Sequence, residues 1–145
     1  MSEIIKLSIT VNSVIDNLDD SGLPEGDPEI NIFTTDGTIT VNDRLTKLVF
    51  TETVESESIT STIYVTEDGV RLFKRGAIEA DMRFSEGACE KTIYRVGPYA
   101  FDMEIKTKRI KCALDENGGE LSLLYSMNVG GQEKNVKMKI TAKRK

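Results

Sequence analysis

The chain has 145 residues and a formal net charge of −5, and it contains neither histidine nor tryptophan. A chain of this length suits one domain that buries a core of its own. The lack of histidine removes the commonest acid–base group at neutral pH, and no pair of carboxylates stands out by its spacing, so we predict a protein that is not an enzyme and uses no cofactor.

Strand-like segments follow one another along the chain with no helical period. In the first, the apolar residues of IKLSITV (5–11) alternate with polar ones, which is typical of a strand with one face in water. Residues 16–28, DNLDDSGLPEGDP, are acidic and rich in glycine and proline, and they predict a flexible loop. The segment INIFT then leads to Asp36-Gly37, a dipeptide typical of a hairpin turn.

Short turn signals separate the strands that follow. LTKLVFTETV ends at the polar residues 56–58, and Glu67-Asp68-Gly69 separates ITSTIYV from VRLFK. Residues 74–87, KRGAIEADMRFSEG, alternate apolar and charged residues between two glycines. This pattern places Ile78, Ala80, Met82 and Phe84 on one dry face. The later strand candidates are Glu90–Val96, AFDMEIKT, RIKCALD, ELSLLYSMNV and NVKMKITAK, with turns at Gly97-Pro98, at 116–119 and at Gly130-Gly131.

These elements favour one all-β domain over residues 1–145. About ten to twelve short strands joined by hairpin-length loops indicate an antiparallel meander, because parallel strands require long crossover connections. Such a meander either closes into a barrel or folds as a sandwich. We prefer the barrel, because closure removes the exposed sheet edges that amphipathic strands would otherwise present. We therefore predict a single antiparallel meander β-barrel of about eight to ten strands.

The start of the chain and the cysteines indicate the compartment. MSEIIKLSITV has no basic region followed by an apolar run, and no later segment approaches the roughly 20 apolar residues of a membrane span. We expect a cytoplasmic protein without membrane contact. Cys89 and Cys112 could form one bridge, but Cys112 shares parity with Ile110 and Leu114, so we favour a reduced, buried thiol.

The charge is divided unevenly along the chain. Residues 1–70 hold 14 acidic and 3 basic residues, whereas residues 71–145 hold 10 acidic and 16 basic ones. One interpretation is a basic surface for an anionic partner; the other, which we favour, is that opposite charges help the two halves to dock. Residues 130–145 contain no aromatic residue for base stacking, so we do not expect nucleic acid as a partner. The sequence leaves open whether the chain forms a homodimer.

Polar residues on the apolar parity are the candidates for a binding site, because a barrel of this size is either filled or holds one small ligand. Lys74 falls on the same face of its predicted strand as Val70 and Leu72. Glu52 falls on the same face of its strand as Phe50 and Val54. The simpler interpretations, which we favour, are a lysine that leaves the rim for water and a carboxylate at a strand end or bulge.

Tyr94 and Tyr125 also fall on inward parity. Their hydroxyls could hold the carboxylate of a ligand, or they could bond the backbone or Thr107 as ordinary core tyrosines. The remaining candidates are apolar residues that would line a pliable pocket or simply fill the core: Met82, Phe84, Met103 and Met127. The acidic loop lacks the ligand order of a calcium-binding loop, so we expect no metal site.

The second half of the chain resembles the uncharacterised bacterial family of YwiB-like proteins. The resemblance covers about residues 70–141 and departs from the family pattern at Lys74 and Ala100. The residues that carry it are Gly76, Met82, Phe84, Gly87, Tyr94, Pro98-Tyr99, Thr107, Gly119, Tyr125 and Ile140. It implies a calycin-type, lipocalin-like β-barrel, and members of that fold often hold small apolar molecules.

Two functions follow as predictions. The first is a calycin-like barrel that binds a small apolar or amphipathic ligand in its interior. The alternative is a non-enzymatic protein-interaction module whose barrel is filled by side chains and whose outer surface meets a partner.

Overall fold

The computed structural model describes residues 4–145, and this range contains ten β-strands and no helix. The strands are β1 (Ile4–Asn17), β2 (Glu29–Val41), β3 (Thr46–Val54), β4 (Glu57–Thr66), β5 (Gly69–Gly76), β6 (Ile78–Phe84), β7 (Cys89–Val96), β8 (Tyr99–Asp115), β9 (Gly118–Val129) and β10 (Gln132–Arg144).

The strands form a closed antiparallel meander. Each strand pairs with the next along the chain, and β10 returns to pair with β1. The predicted barrel is therefore confirmed. Because the strands alternate in direction, the loops that follow the odd-numbered strands all lie at one end, which we call the open end. The loops that follow the even-numbered strands lie at the other, the closed end.

The core occupies the closed end. Alternate residues of every long strand point inward, as a period of two requires. In β6, Ala80, Met82 and Phe84 are buried and Ile78 is half-buried, whereas Glu79 and Arg83 are exposed. The most completely buried aliphatic side chains form the centre of the core: Leu7, Ile9, Ile39, Leu48, Ile63, Ile105, Leu121 and Ile140.

The hairpin predicted at Asp36-Gly37 is wrong, because β2 runs through both residues without turning. Gly37 pairs with Leu7 on one side and with Phe50 on the other. A Cβ at this position would collide with the Ile9 side chain and with the backbone carbonyl of Val49. Gly37 therefore permits close approach of neighbouring atoms within the sheet rather than a reversal of the chain.

The two segments predicted as AFDMEIKT and RIKCALD are one long strand with a β-bulge. The register of β8 against β9 shifts between Thr107 and Arg109, so the parity of inward residues changes along the strand. Ile110 and Leu114 then pack partly against the core. This end of β8 pairs with β9 but extends past the ladder with β7, which stops at Lys106.

The expected burial of Cys112 is therefore wrong. Both cysteines are free thiols, and both are exposed. Cys112 faces Leu121 across the β8–β9 ladder, but it lies on the stretch of β8 that has no β7 neighbour to cover it. Parity predicts the side of a strand that a residue occupies, whereas burial also requires a second element over that side.

The acidic loop is two residues shorter than predicted, since Asp16 and Asn17 belong to β1. Within residues 18–28, the Asp19 carboxylate accepts hydrogen bonds from the amides of Ser21 and Leu23 at 2.9 and 3.0 Å. The amide of Glu25 donates to the carbonyl of Asn17 at 2.7 Å. The loop is thus a hydrogen-bonded turn at the open end of the barrel.

The two oppositely charged halves make little direct contact through ion pairs. Among residues 4–145 there are four ion pairs, and only Lys145 with Asp36 joins the acidic half to the basic half. The other three lie within the basic half, and the tightest is the paired contact of Arg71 with Asp81 at 2.7 Å. Much of the basic surface therefore has no acidic partner from residues 4–70.

Candidate functional site

A cavity of about 480 Å³ lies inside the barrel toward the open end. Its apolar lining comes from residues such as Val11, Phe50, Ile63, Leu72 and Val136, contributed by strands all around the barrel. The tightly packed core closes it below. Volumes of roughly 300–1,000 Å³ with mostly apolar walls are typical of small-molecule sites.

Seven of the nine predicted site residues line this cavity. They are Glu52, Lys74, Met82, Tyr94, Met103, Tyr125 and Met127. The alternation of each strand turns these side chains inward, and closure of the meander then brings together residues from β3, β5, β6, β7, β8 and β9.

The other two predicted residues lie outside the cavity lining. Phe84 is 1% exposed and packs edge-on against Tyr125, with ring centroids 4.7 Å apart. Thr107 is buried and faces Tyr125 across the β8–β9 ladder. Its hydroxyl has no hydrogen-bond partner in the described part of the chain, so the expected bond between a core tyrosine and Thr107 is not made. Phe84 and Thr107 support the cavity through Tyr125.

Lys74 lies in the wall of the cavity rather than in water, which corrects the interpretation that it leaves the barrel rim. Its two register partners are Ser61 on β4 and Ala80 on β6. Both side chains are small and buried, so they leave room beside the half-buried lysine. Burial lowers the pKa of Lys74, and the negative charge of Glu52 opposes that effect.

Glu52 points into the same cavity from a regular stretch of β3, whose register with β4 continues unbroken to Val54. Of the predicted alternatives for this position, the bulge is therefore wrong, whereas the strand end fits, because Glu52 lies two residues before the end of β3 and beyond the last pair of β3 with β2. Its charge acts on the ammonium of Lys74 and on the hydroxyl of Tyr94. A carboxylate, an amine and a phenol from β3, β5 and β7 thus face the same, mostly apolar space.

Two tyrosines complete the polar part of the cavity lining. Burial raises the pKa of Tyr94, and the charge of Glu52 raises it further. Burial raises the pKa of Tyr125 more strongly, with a smaller contribution from Tyr94. Both phenols therefore stay protonated at neutral pH and can donate a hydrogen bond to a ligand.

Several lining residues were missed by the sequence analysis. Ser61 is 2% exposed and lies between Ile59 and Ile63 on the inward parity of β4. Lys134 lines the cavity near the open end, on the parity of Val136 and Met138. Inward parity of a polar residue, the signal that selected Lys74 and Glu52, would have found both.

The barrel wall has a seam beside the cavity. β2 and β3 pair only between Gly37–Val41 and Thr46–Phe50, so residues 29–36 and 51–54 face each other without a ladder. A bond from the Thr35 hydroxyl to the Thr51 carbonyl, 2.7 Å long, marks the start of the seam. Ile32 is 63% exposed and yet lines the cavity, so the cavity opens to the surface between these two strands.

The β7–β8 hairpin extends the apolar lining beyond the cavity. Val96, Tyr99 and Phe101 share the side of the hairpin that carries Tyr94, as the register of the two strands requires. Tyr99 is 67% and Phe101 40% exposed. The mouth of the cavity is therefore bordered by apolar side chains that a ligand or a partner can cover.

A second gap in the wall has a different character. β6 and β7 share only two register pairs, Ile78 with Val96 and Glu79 with Arg95. The resulting cleft of about 230 Å³ is lined mainly by polar groups, among them Asp81, Arg83 and Glu90. Its walls do not suit an apolar ligand.

Residues 4–145 contain no helix that is both long and apolar enough to cross a bilayer. In the same range, no cluster of three or more cysteine, aspartate or glutamate side chains is arranged to hold a metal ion.

The fold and the cavity define a class: ten-stranded meander β-barrels with an internal cavity near one end. Within that class, the chain belongs to the family described as a domain of unknown function, DUF1934, whose family model matches residues 15–141.

A relative and its solved structure agree with this assignment. The chain is 27% identical, over 136 residues, to the uncharacterized β-barrel protein YwiB of Bacillus subtilis, with 94% of this chain and 91% of the relative covered. The crystal structure of that ywiB protein matches with a TM-score of 0.84 and 27% identity, over 98% of this chain and 93% of the other. The predicted resemblance is confirmed, as is the barrel fold.

Proposed function

We propose that the protein binds a small amphipathic molecule, with its apolar body in the barrel cavity and its polar end against Lys74, Glu52 and Tyr94. The observation that carries this proposal is the cavity of about 480 Å³ whose mostly apolar lining includes the polar side chains of Lys74, Glu52 and Tyr94. An apolar space with a few converging polar groups is the usual form of a ligand site.

The polar groups restrict the chemistry of the ligand. Lys74 supplies an amine, Tyr94 and Tyr125 supply phenolic donors, and Glu52 supplies a carboxylate. Donors outnumber acceptors, so a polar end that accepts hydrogen bonds is favoured over a cationic one. A carboxylate or a carbonyl on an aliphatic or aromatic body meets this description.

A cavity-filling variant tests the proposal. Met127→Trp places a large ring in the cavity from β9, whereas Ser126→Trp places the same ring on the outer face one residue away. Both variants and the natural protein are titrated with anilinonaphthalene sulfonate, an anionic apolar probe, and their folds are compared by circular dichroism. We expect Met127→Trp to lose probe binding and Ser126→Trp to retain it. Equal binding by the two variants would contradict an interior site.

Native mass spectrometry gives an independent test. The protein is purified from its own host under mild conditions, and the intact mass is compared before and after denaturation. A retained small molecule that is lost on denaturation supports the proposal. Repeated absence of such a molecule, together with no probe binding, would favour the interaction module.

The second candidate function is a protein-interaction module, and the basic outer face of β8–β10 favours it. Register places Arg109, Leu124 and Lys137 in one row, and Lys111, Ser122 and Lys139 in the next. Of the cations in these two rows, Lys139 pairs with Glu120. We expect charge reversal at Lys111 and Lys137 to abolish salt-dependent binding to an acidic partner without changing probe uptake. Retained binding would remove this face from consideration.

A further inference from the structure

Lys74 has surroundings that suit a nucleophile better than a simple counter-ion. It is half-buried in the cavity wall between the small residues Ser61 and Ala80. None of the four ion pairs among residues 4–145 involves it. The amine is therefore held next to an apolar space without direct contact with any carboxylate of the described range.

Such an amine is more reactive than one in water. Burial lowers the pKa of Lys74, so a larger share of the side chain is neutral at physiological pH, and only the neutral amine attacks a carbonyl carbon. Glu52, whose charge acts on Lys74, faces the same cavity and would balance the charge of a protonated product.

We propose that Lys74 binds an apolar aldehyde or ketone covalently and reversibly as an imine. The proposal rests on the proposed function, because the cavity must first hold the apolar body of the ligand, and it narrows the ligand class to carbonyl compounds. The Lys74 nitrogen attacks the carbonyl carbon to form a carbinolamine. A proton moves from nitrogen to oxygen, and loss of water leaves the C=N bond. No electron donor or acceptor is needed, and added water reverses the step.

The cavity contains a matched control for this reaction. Lys134 also lines the cavity, but it pairs in register with Asn17 and Met127. Its neighbours are longer than the serine and alanine beside Lys74. An imine at Lys74 and not at Lys134 therefore reports the local environment rather than the presence of a lysine.

The test uses octanal as the carbonyl probe, with octanol as a probe of the same chain length that cannot form an imine. The full-length protein is incubated with dilute octanal at neutral pH, the imine is reduced with cyanoborohydride, and the adduct is located by peptide mapping. Displacement of anilinonaphthalene sulfonate measures non-covalent binding by both probes. Lys74→Arg keeps a cation but removes the nucleophile, and Lys134→Arg is the control.

We expect a single octyl group per chain on the peptide that contains Lys74. The adduct should be lost in Lys74→Arg, retained in Lys134→Arg, and absent from protein denatured before treatment. Peptide mapping of the natural protein gives the same information if a variant fails to fold. Adducts spread evenly over surface lysines, or an adduct that survives in folded Lys74→Arg, would overturn the proposal.

The outcomes separate this inference from the proposed function. Displacement of the dye by octanol without trapping of octanal overturns the imine and leaves ligand binding intact. If neither compound displaces the dye and no adduct forms, the binding function itself fails.

Discussion

Lys74 and its register partners lie side by side on neighbouring strands of the barrel. The sizes of these partners determine the space around Lys74. Phe50, Ser61, Lys74 and Ala80 face one another in register on four successive strands. Two small residues beside a long one leave space that the lysine shares with the cavity. A residue on the same strand parity but between two large neighbours would be packed into the wall instead.

Removal of the Lys74 charge should stabilise the protein in a pH-dependent way. Burial lowers the pKa of Lys74 from its ordinary value of 10.5. Between the lowered pKa and 10.5, the unfolded chain binds more protons than the folded one, so the stability of the natural protein rises with pH in that window. Below this pH window, Lys74 is charged in both the folded and the unfolded chain, so the full cost of burying its charge lowers the stability.

We therefore expect Lys74→Met to raise the free energy of unfolding most near neutral pH, with a gain that shrinks as the pH approaches 10.5. Urea denaturation at several pH values measures this. Lys134→Met controls for the replacement of a cavity lysine by methionine. A gain that does not change with pH would contradict burial of a charged Lys74.

The Tyr125 hydroxyl should matter for ligand binding more than for stability. It faces the cavity, and the neighbouring Thr107 hydroxyl gives it no hydrogen bond. Tyr125→Phe should weaken binding of anilinonaphthalene sulfonate about fivefold, which corresponds to the loss of one hydrogen bond of roughly 1 kcal/mol. Tyr64→Phe, on the outer face, is the control. Unchanged affinity would remove Tyr125 from the site.

At the scale of elements, the turns and bulges determine where each strand can continue. The β3–β4 hairpin has two residues, Glu55 and Ser56, with φ of 50° and 70°. Two-residue turns with positive φ match the twist of paired strands, but they favour asparagine and glycine over glutamate and serine. Residues at the open end of the barrel thus adopt a conformation that their own preferences oppose.

The double variant Glu55→Asn with Ser56→Gly should relieve this strain. We expect an increase of about 1 kcal/mol in the free energy of unfolding, since each new residue accepts positive φ more readily. Chemical denaturation with the variant Glu57→Asn as a control measures the change. A less stable double variant would mean that the native side chains contribute contacts that outweigh the backbone preference.

At the scale of the whole molecule, the barrel has two ends with different structure. The closed end is filled by aliphatic side chains such as Leu7, Ile39 and Leu121, whereas the open end contains the cavity and the seam between β2 and β3. A seam without ladder hydrogen bonds can separate at lower free energy than a paired edge. Entry of a ligand should therefore use the seam.

Hydrogen exchange tests this route. We expect a bound ligand to slow amide exchange in residues 29–36 and 51–54. If exchange requires the ligand to leave, the rate should fall by about 100-fold at a ligand concentration about 100 times its Kd. The rate of amide exchange in the turns at 42–45 and 116–117, at the closed end, should not change. Protection confined to the closed end would contradict entry at the seam.

The sequence by itself determined the barrel and most of the candidate site. A period of two in side-chain direction is a local property, so the alternation in segments such as 78–84 sufficed to predict a strand with one dry face. Short connections excluded parallel pairing. The same parity identified Glu52, Lys74, Tyr94 and Tyr125 as inward residues, and all four line the cavity.

The tertiary structure alone decided the features that depend on several strands at once. Gly37 does not turn the chain because Leu7 and Phe50 pair with it from both sides, and Cys112 is exposed because β7 ends before reaching it. The space beside Lys74 depends on small residues at one level of neighbouring strands. Register between strands is set by the sum of many pairings rather than by local pattern, and it determines which inward residues meet around a cavity.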